Sequence, residues 1–292
     1  MRVATGKCTV RRMNARTAIL TALATLCAAG LAPQAAADST AAAQFVSLDQ
    51  VDKHSSARAD MAVINGNGDP GWGRYRLELD GRYVFGERIG GFAHVALAGL
   101  VDNDSDNEVA LSNFEIGGLY IVPLTEHDLV VRGSFALPTA SDDLPKLVAG
   151  LGSSIASPSN VVLAYGGASV VRASGSLISA GDGKFYRLDL GVDVPFGSDV
   201  LDERPLFRAS AGIGTRSGAV SVTAELVNLL STGEGVNGFG NNNGVHIVTL
   251  TARYDGDSVS PFFAFGLPLD SSVQDSVSLM VKLGVDVHID QM

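Results

Sequence analysis

Charged residues recur at every second position from Arg74 to Phe85. The even positions of this segment include Arg76, Glu78 and Asp80, and the odd positions are mostly apolar or aromatic. A period of two predicts a β-strand with one charged face and one apolar face. Charges of both signs on one face can line a water-filled passage and tune its ion selectivity, or they can pair with each other in salt bridges. The apolar face is then expected to meet lipid, because unpaired charges are costly in a packed soluble core.

The same alternation extends the charged set along the chain. The residues that we expect to face the interior and to matter for function are Arg76, Glu78, Asp80, Arg82, Arg88, Glu115, Arg132, Arg187, Asp189, Asp193 and Lys282. Two arrangements remain open, an open channel and a lumen that is closed by salt bridges or by a plug. The segment from Asp142 to Ile155 has apolar residues at helical spacing, so a short helix could enter the lumen as a plug or lid, or rest outside it.

Other residue types that carry out chemistry form no recognisable arrangement. The five histidines have no short-spaced pair and no cysteine partner that would make a zinc signature. No Gly-x-Ser-x-Gly sequence marks a nucleophile. The alternate carboxylates from Asp102 to Asp106 could bind calcium, but the glycine and distal glutamate of an EF-hand loop are missing, which favours a solvated turn. We therefore expect no catalytic residue, no metal site, no cofactor and no enzymatic activity.

The first 37 residues differ from the rest of the chain. They contain five basic residues, no acidic residue and the apolar run from Ala18 to Leu31. This composition predicts a secretory signal peptide over residues 1–37, cleaved near Ala37-Asp38, with Met13 as an alternative start. Residues 38–55 are then expected to form a periplasmic amino-terminal tail, followed by the main domain over residues 56–292.

Cysteine and charge narrow the function classes further. Both cysteines, Cys8 and Cys27, lie within the predicted signal peptide, so the mature chain would have no thiol for a disulfide, a metal site or catalysis. Cleavage would also remove five of the 21 Lys and Arg residues and leave 16 against 31 Asp and Glu, a net charge of about −15. So acidic a chain is not suited to binding nucleic acid.

Two further segments repeat the period of two over unusual lengths. The segments from Lys184 to Pro195 and from Val277 to Ile289 alternate in the same way. A membrane-spanning strand needs about 9–11 residues, whereas strands of soluble proteins usually have about five or six. Weaker alternation adds strands at 89–101, 108–122, 129–137, 161–171, 206–215, 220–229, 245–254 and 261–269.

The connections between these eleven strands predict a twelfth. They are alternately short, at 86–87, 216–219 and 255–259, and long, at 139–160 and 230–244. Outer-membrane barrels have short periplasmic turns, longer external loops and usually an even number of strands. A strand must therefore precede Arg74, and Ala57 to Asn65 is the candidate. The predicted fold class is all-β, an antiparallel up-and-down transmembrane β-barrel of about 12 strands.

With its signal sequence and strand pattern, the chain resembles bacterial outer-membrane β-barrel proteins of the porin-like transport class. The segments from Phe135 to Thr139 and from Phe265 to Asp270 are similar to strand ends of porin-like proteins proposed to pass small aromatic or hydrophobic compounds. Proteins of this class typically end in an alternating strand with a terminal aromatic residue. Here the alternation is present, but the chain ends in Ile289-Asp290-Gln291-Met292.

The resemblance implies a location in the outer membrane of a Gram-negative cell. Its partners would be outer-membrane lipids, the outer-membrane assembly machinery and small-molecule solutes. The implied function is passive passage of small solutes through the lumen. The alternatives are a non-conducting structural or adhesion barrel and an outer-membrane lipid-modifying enzyme, and a secreted soluble β-sandwich is the rival fold class.

Overall fold

A computed structural model describes residues 45–51, 53–65, 73–101, 108–181, 183–197, 204–231, 244–274 and 277–289. Its dominant feature is one antiparallel sheet. The strands are β1 (Ser56–Asn65), β2 (Gly73–Phe85), β3 (Ile89–Val101), β4 (Glu108–Leu111), β5 (Phe114–Pro123), β6 (Asp128–Leu137), β7 (Ser169–Gly181), β8 (Lys184–Phe196), β9 (Leu206–Ser217), β10 (Val220–Ser231), β11 (Gly244–Tyr254), β12 (Val259–Pro268) and β13 (Leu279–His288).

The sheet closes on itself as a barrel. Apart from β4 and β5, which do not pair with each other, each strand pairs with its neighbours in sequence, and β1 pairs on one side with β2 and on the other with β13. In the closing register Ala59 lies opposite both Leu79 and Val285. Both β4 and β5 pair with β3, so together they form one interrupted strand of the wall. The structure is a closed antiparallel barrel of 12 strands, which confirms the predicted fold class.

The connections alternate in length around the barrel. Short turns at 86–88, 124–127, 218–219 and 255–258 lie at one end, which we call the turn end. The first residue of β1 and the last residue of β13 lie there too. The long connection formed by residues 138–168 lies at the opposite end, the loop end. The strand β1 thus confirms the twelfth strand that was predicted from loop alternation.

The long connection between β6 and β7 contains two helical segments. Helix α1 (Leu144–Ser154) lies within the predicted segment from Asp142 to Ile155, and a 3-10 helix (Pro158–Ala164) follows it. A short helix α2 (Ser271–Gln274) precedes β13. In the described part of the chain, no helix is both long enough and apolar enough to cross a membrane.

The strand predicted at 161–171 is wrong. Residues up to Ala164 belong to the 3-10 helix, and β7 begins only at Ser169 and runs to Gly181. A short apolar run suits a buried strand and a buried helical turn equally well, so its period does not distinguish them. Here Val161, Val162 and Leu163 are almost completely buried within the loop that enters the barrel, not in its wall.

The two faces of the wall have opposite chemistry. Outward side chains are apolar and exposed, as for Leu190 at 69% exposure, whereas inward side chains are often charged and buried, as for Arg187 at 2%. Leu79 and Leu250 follow the outward pattern. This arrangement inverts that of a water-soluble protein and suits an outer face in contact with lipid.

A cation introduced in the middle of the outer face tests this assignment. We expect Leu190→Arg to lower the free energy of unfolding in lipid vesicles by about 2–4 kcal/mol, and Val220→Arg, at the turn end of β10, by about 0–1 kcal/mol. Guanidinium unfolding followed by circular dichroism measures both. Equal small losses would contradict a lipid-facing position for Leu190.

Candidate functional site

The inner face of the wall holds nearly all the charged residues that the sequence analysis placed there. The buried ones are Arg76, Glu78, Arg82, Glu115, Arg132, Arg187, Asp189, Asp193 and Lys282. Asp80 is half-buried and shares their face. Arg88 is the exception, because it is exposed in the turn after β2. Alternation ends at Phe85, where Gly86 and Glu87 turn the chain with φ values of 56° and 66°.

Several inward charges were not among the predicted site residues. They are Arg58, Asp60, Arg172, Arg208, Glu225, Arg253 and Asp286, all buried. The alternation of Arg58 and Asp60 with Ala57, Ala59 and Met61 could have identified the first two. Arg172 was missed because the predicted strand ended one residue before it.

The wall charges pair with each other across and along strands. Arg58 Nε lies 2.6 Å from Asp286 Oδ1, and Arg253 Nη1 lies 3.0 Å from Asp286 Oδ2. Within β8, Arg187 Nε lies 2.8 Å from Asp189 Oδ1. Such pairing offsets the large desolvation cost of enclosed charges. The salt-bridge network that the sequence left open as one alternative is therefore present.

Residues 45–51, which we call the amino-terminal segment, lie inside the barrel. The backbone N–H groups of Val46 and Ser47 donate hydrogen bonds of 3.1 Å and 2.7 Å to the carboxylate of Glu225. Ser47 Oγ donates to Thr249 Oγ1 at 2.8 Å. This part of the expected 38–55 tail packs against the wall rather than standing apart from it, and residues 38–44 lie outside the described residues.

Asp49 of this segment meets three arginines of the wall. Its carboxylate lies 2.8 Å from Arg208 Nη1, 3.6 Å from Arg132 Nη1 and 3.8 Å from Arg172 Nη2. Burial alone would raise the pKa of Asp49, but the positive charges of the three arginines outweigh burial and hold this pKa well below its ordinary value. Asp49 is therefore charged at neutral pH.

A second part of the chain, residues 140–168, enters from the loop end, and we call it the lumenal loop. Asn113, at the interruption between β4 and β5, holds it in place. Asn113 Nδ2 donates to the carbonyls of Tyr165 and Ala168, both at 2.9 Å, and its backbone N–H donates to Leu163 O at 2.7 Å. Its Oδ1 accepts from Ala140 N–H at 2.9 Å. The break in the strand is thus the attachment point of the loop.

The loop also joins the charged network of the wall. Ser157 Oγ donates a hydrogen bond to Glu78 and accepts one of 2.6 Å from Lys282 Nζ. Lys282 Nζ also lies 3.2 Å from Glu78 Oε2 and 3.4 Å from Asp60 Oδ1. Through Ser157 the loop is bound to β2 and β13 together.

Arg172 connects the wall with both inserted parts of the chain. It donates to Glu115 at 2.8 Å and to Asp193 at 3.1 Å on the wall. It donates to Ser159 O at 2.5 Å in the lumenal loop and lies near Asp49 of the amino-terminal segment. The two inserted parts are therefore coupled through one guanidinium.

Little free space remains between the two inserted parts. A cavity of about 30 Å³ is lined by Leu48 and Gln50 from one side, Asn160 from the other, and Asp80 and His94 from the wall. This volume holds about one or two water molecules. In the described residues both inserted parts thus occupy the lumen, and the loop helix packs against the wall there through Leu151, which favours the plugged arrangement over the open one.

No group of three or more His, Cys, Asp or Glu residues in the described ranges could hold a metal ion. The acidic stretch from Asp102 to Asp106, weighed as a calcium loop or a solvated turn, lies outside those ranges.

Removing Arg172 tests the coupling. We expect Arg172→Gln to lower the free energy of unfolding by about 3–5 kcal/mol, because the buried carboxylate of Glu115 would lose its ion pair with Arg172 and that of Asp193 would lose one of its two arginines. Arg88→Gln, at the exposed turn, is the matched control and should change it by less than about 0.5 kcal/mol. Similar effects of the two substitutions in guanidinium unfolding would disprove the coupling.

Solved structures with the same architecture are outer-membrane proteins. The COG4313 outer membrane channel from Pseudomonas putida F1 has a TM-score of 0.56 and 9% identity over 86% of this chain and 98% of that one. The NanC porin has a TM-score of 0.52 and 8% identity over 80% of this chain and 100% of that one. The KdgM porin in complex with disordered oligogalacturonate has a TM-score of 0.51 and 10% identity over 80% of this chain and 99% of that one. No family model and no curated protein sequence matches the chain. At these identities the likeness concerns the fold, which is that of bacterial outer-membrane β-barrels.

Proposed function

We propose that this chain is an outer-membrane channel for small solutes whose lumen is closed by the amino-terminal segment and the lumenal loop. The observation that carries the proposal is the polar wall behind the amino-terminal segment, where Thr223, Glu225, Thr249 and Thr251 face inward and are buried. A hydroxylated and charged wall can be hydrated when the segment leaves, whereas an apolar wall would stay dry.

The amino-terminal segment is the part better suited to leave. Its apolar contacts are divided among small clusters, such as that of Phe45 and Leu48 with Phe185 and Val227. Its remaining contacts are hydrogen bonds and ion pairs, for which water can substitute at a net cost of about 1 kcal/mol per neutral hydrogen bond and about 1.5–3 kcal/mol per hydrogen bond to a charged group. The lumenal loop instead contributes to the largest apolar cluster, together with residues from seven strands.

The proposed setting follows from the fold. The outer face would lie in the lipids of the outer membrane, the turn end would face the periplasm, and solutes would pass without a cofactor. The three similar barrels are porins or channels by description, which supports this function at the level of the fold.

Weakening the amino-terminal segment tests the proposal in planar bilayers. We expect Glu225→Ala to raise the ratio of open to closed time by about tenfold or more, because the acceptor of two backbone hydrogen bonds is lost. Glu126→Ala, in an exposed turn, is the matched control and should leave conductance unchanged.

Absence of conductance in both proteins would overturn the proposal. Folded protein, identified by its heat-dependent mobility on gels, that conducts neither as the natural chain nor as Glu225→Ala would favour the non-conducting structural barrel.

A further inference from the structure

We propose that Arg132, Arg172 and Arg208 form a carboxylate-binding site in the lumen. In the closed barrel the side chain of Asp49 occupies this site, and a small carboxylate solute takes its place when the amino-terminal segment moves. The movement rests on the proposed channel function, whereas the binding site stands on the geometry of the lumen alone.

The three guanidinium groups converge on one carboxylate from three different strands. Arg132, Arg172 and Arg208 belong to β6, β7 and β9, and each lies within 3.8 Å of Asp49. Among the described residues, the ion pair of Arg132 is with Asp49. Arg208 donates a hydrogen bond to the Asp49 carboxylate, and the other two guanidinium groups lie at ion-pair distance from it.

Charge balance explains why the site needs an anion. Two carboxylates of the wall form ion pairs with these arginines. Glu115 pairs with Arg172, and Asp193 pairs with both Arg172 and Arg208. Asp49 is the third carboxylate and comes from the amino-terminal segment. When Asp49 leaves, Arg132 and Arg208 each lose an ion pair, and a singly charged anion in its place would restore both.

The wall leaves room for this arrangement at Gly191. A Cβ atom there would lie 2.9 Å from Arg208 Nη2, so a larger residue would collide with the guanidinium. Arg208 can therefore extend over β8 to reach Asp193 and Asp49 together. Arg132 also donates to the carbonyl of Gln50 at 3.2 Å. A carboxylate solute that offers a second, uncharged oxygen would replace both acceptors of the segment.

Asp49 thus acts as a tethered competitor of the solute. A tethered group has an effective concentration on the order of millimolar, so free carboxylates in that range compete with it. Binding of the solute would disfavour return of the segment, because both need the same arginines. The site would therefore couple recognition of an anionic solute to opening of the turn end.

Chemical rescue tests the site without measuring conductance. Asp49→Ala removes the carboxylate and leaves room for formate. We expect formate, at ten times its dissociation constant, to raise the thermal unfolding midpoint of the purified Asp49→Ala barrel by about 2–4 °C. Formamide, and chloride at equal ionic strength, should not raise this midpoint. Adding Arg208→Gln should abolish the shift, and Asp49→Asn, which keeps the site filled, should reduce it.

Absence of the formate shift in Asp49→Ala would overturn the inference. An equal shift with formamide or chloride, or a shift that survives both Arg208→Gln and Asp49→Asn, would overturn it as well. The neutral Asp49→Asn variant keeps the test decisive if the double variant does not fold.

A reversible lock tests the coupling to opening. In a background without Cys8 and Cys27, Ser47→Cys with Thr249→Cys replaces two side chains whose oxygens lie 2.8 Å apart. We expect acetate, but not acetamide, to increase the open probability of the reduced pair in planar bilayers and to have no effect on the oxidised pair. A response to acetate in the oxidised pair would overturn the displacement of the segment.

The two measurements separate the two proposals. A barrel that shows the formate shift but never conducts keeps the carboxylate site and loses the channel function. A barrel that conducts without any formate shift keeps the channel function and loses the site.

Discussion

Charges enclosed by the barrel have to be paired, and Arg172 meets this constraint for the wall and both inserted parts of the chain. Its guanidinium contacts Glu115 and Asp193 on the wall, Ser159 in the lumenal loop and Asp49 in the amino-terminal segment. Removing Arg172 would take an ion pair from each of three buried carboxylates at once, which is costly in an enclosed lumen. The closed lumen therefore results from charge pairing as much as from the shapes that fill it.

Apolar and polar contacts are distributed unevenly along the lumen. Near the loop end, Ile64, Leu206 and Ile247 of the wall pack with the 3-10 helix in one apolar cluster. Toward the turn end, the apolar contacts are divided among smaller clusters and lie beside polar contacts to residues such as Glu225 and Thr249. Apolar packing is lost only by exposing its surface to water, whereas hydrogen bonds can be exchanged for bonds to water. This difference makes the turn end the more suitable place for an opening movement.

The errors of the sequence analysis have a common physical origin. An alternation of period two shows which side chains share one face of a strand, but it does not show what packs against that face. Arg88 follows an alternating strand, but the turn that begins at Gly86 leaves its side chain exposed. The apolar residues 161–163 are buried inside the barrel, in the loop, and not in the wall. Arg172, the residue with the most extensive contacts in the network, was missed because the strand was placed too early along the chain.

The sequence by itself determined the closed barrel, its twelve strands and its charged inner face. Each of these depends on a local pattern, such as the alternation from Arg74 to Phe85 or the lengths of successive connections. Only the tertiary structure decided what fills the lumen. The contacts of Ser47 with Glu225 and of Asp49 with Arg208 join residues 178 and 159 positions apart. No local period records such distances, because they arise only when the wall closes and brings distant strands around one interior.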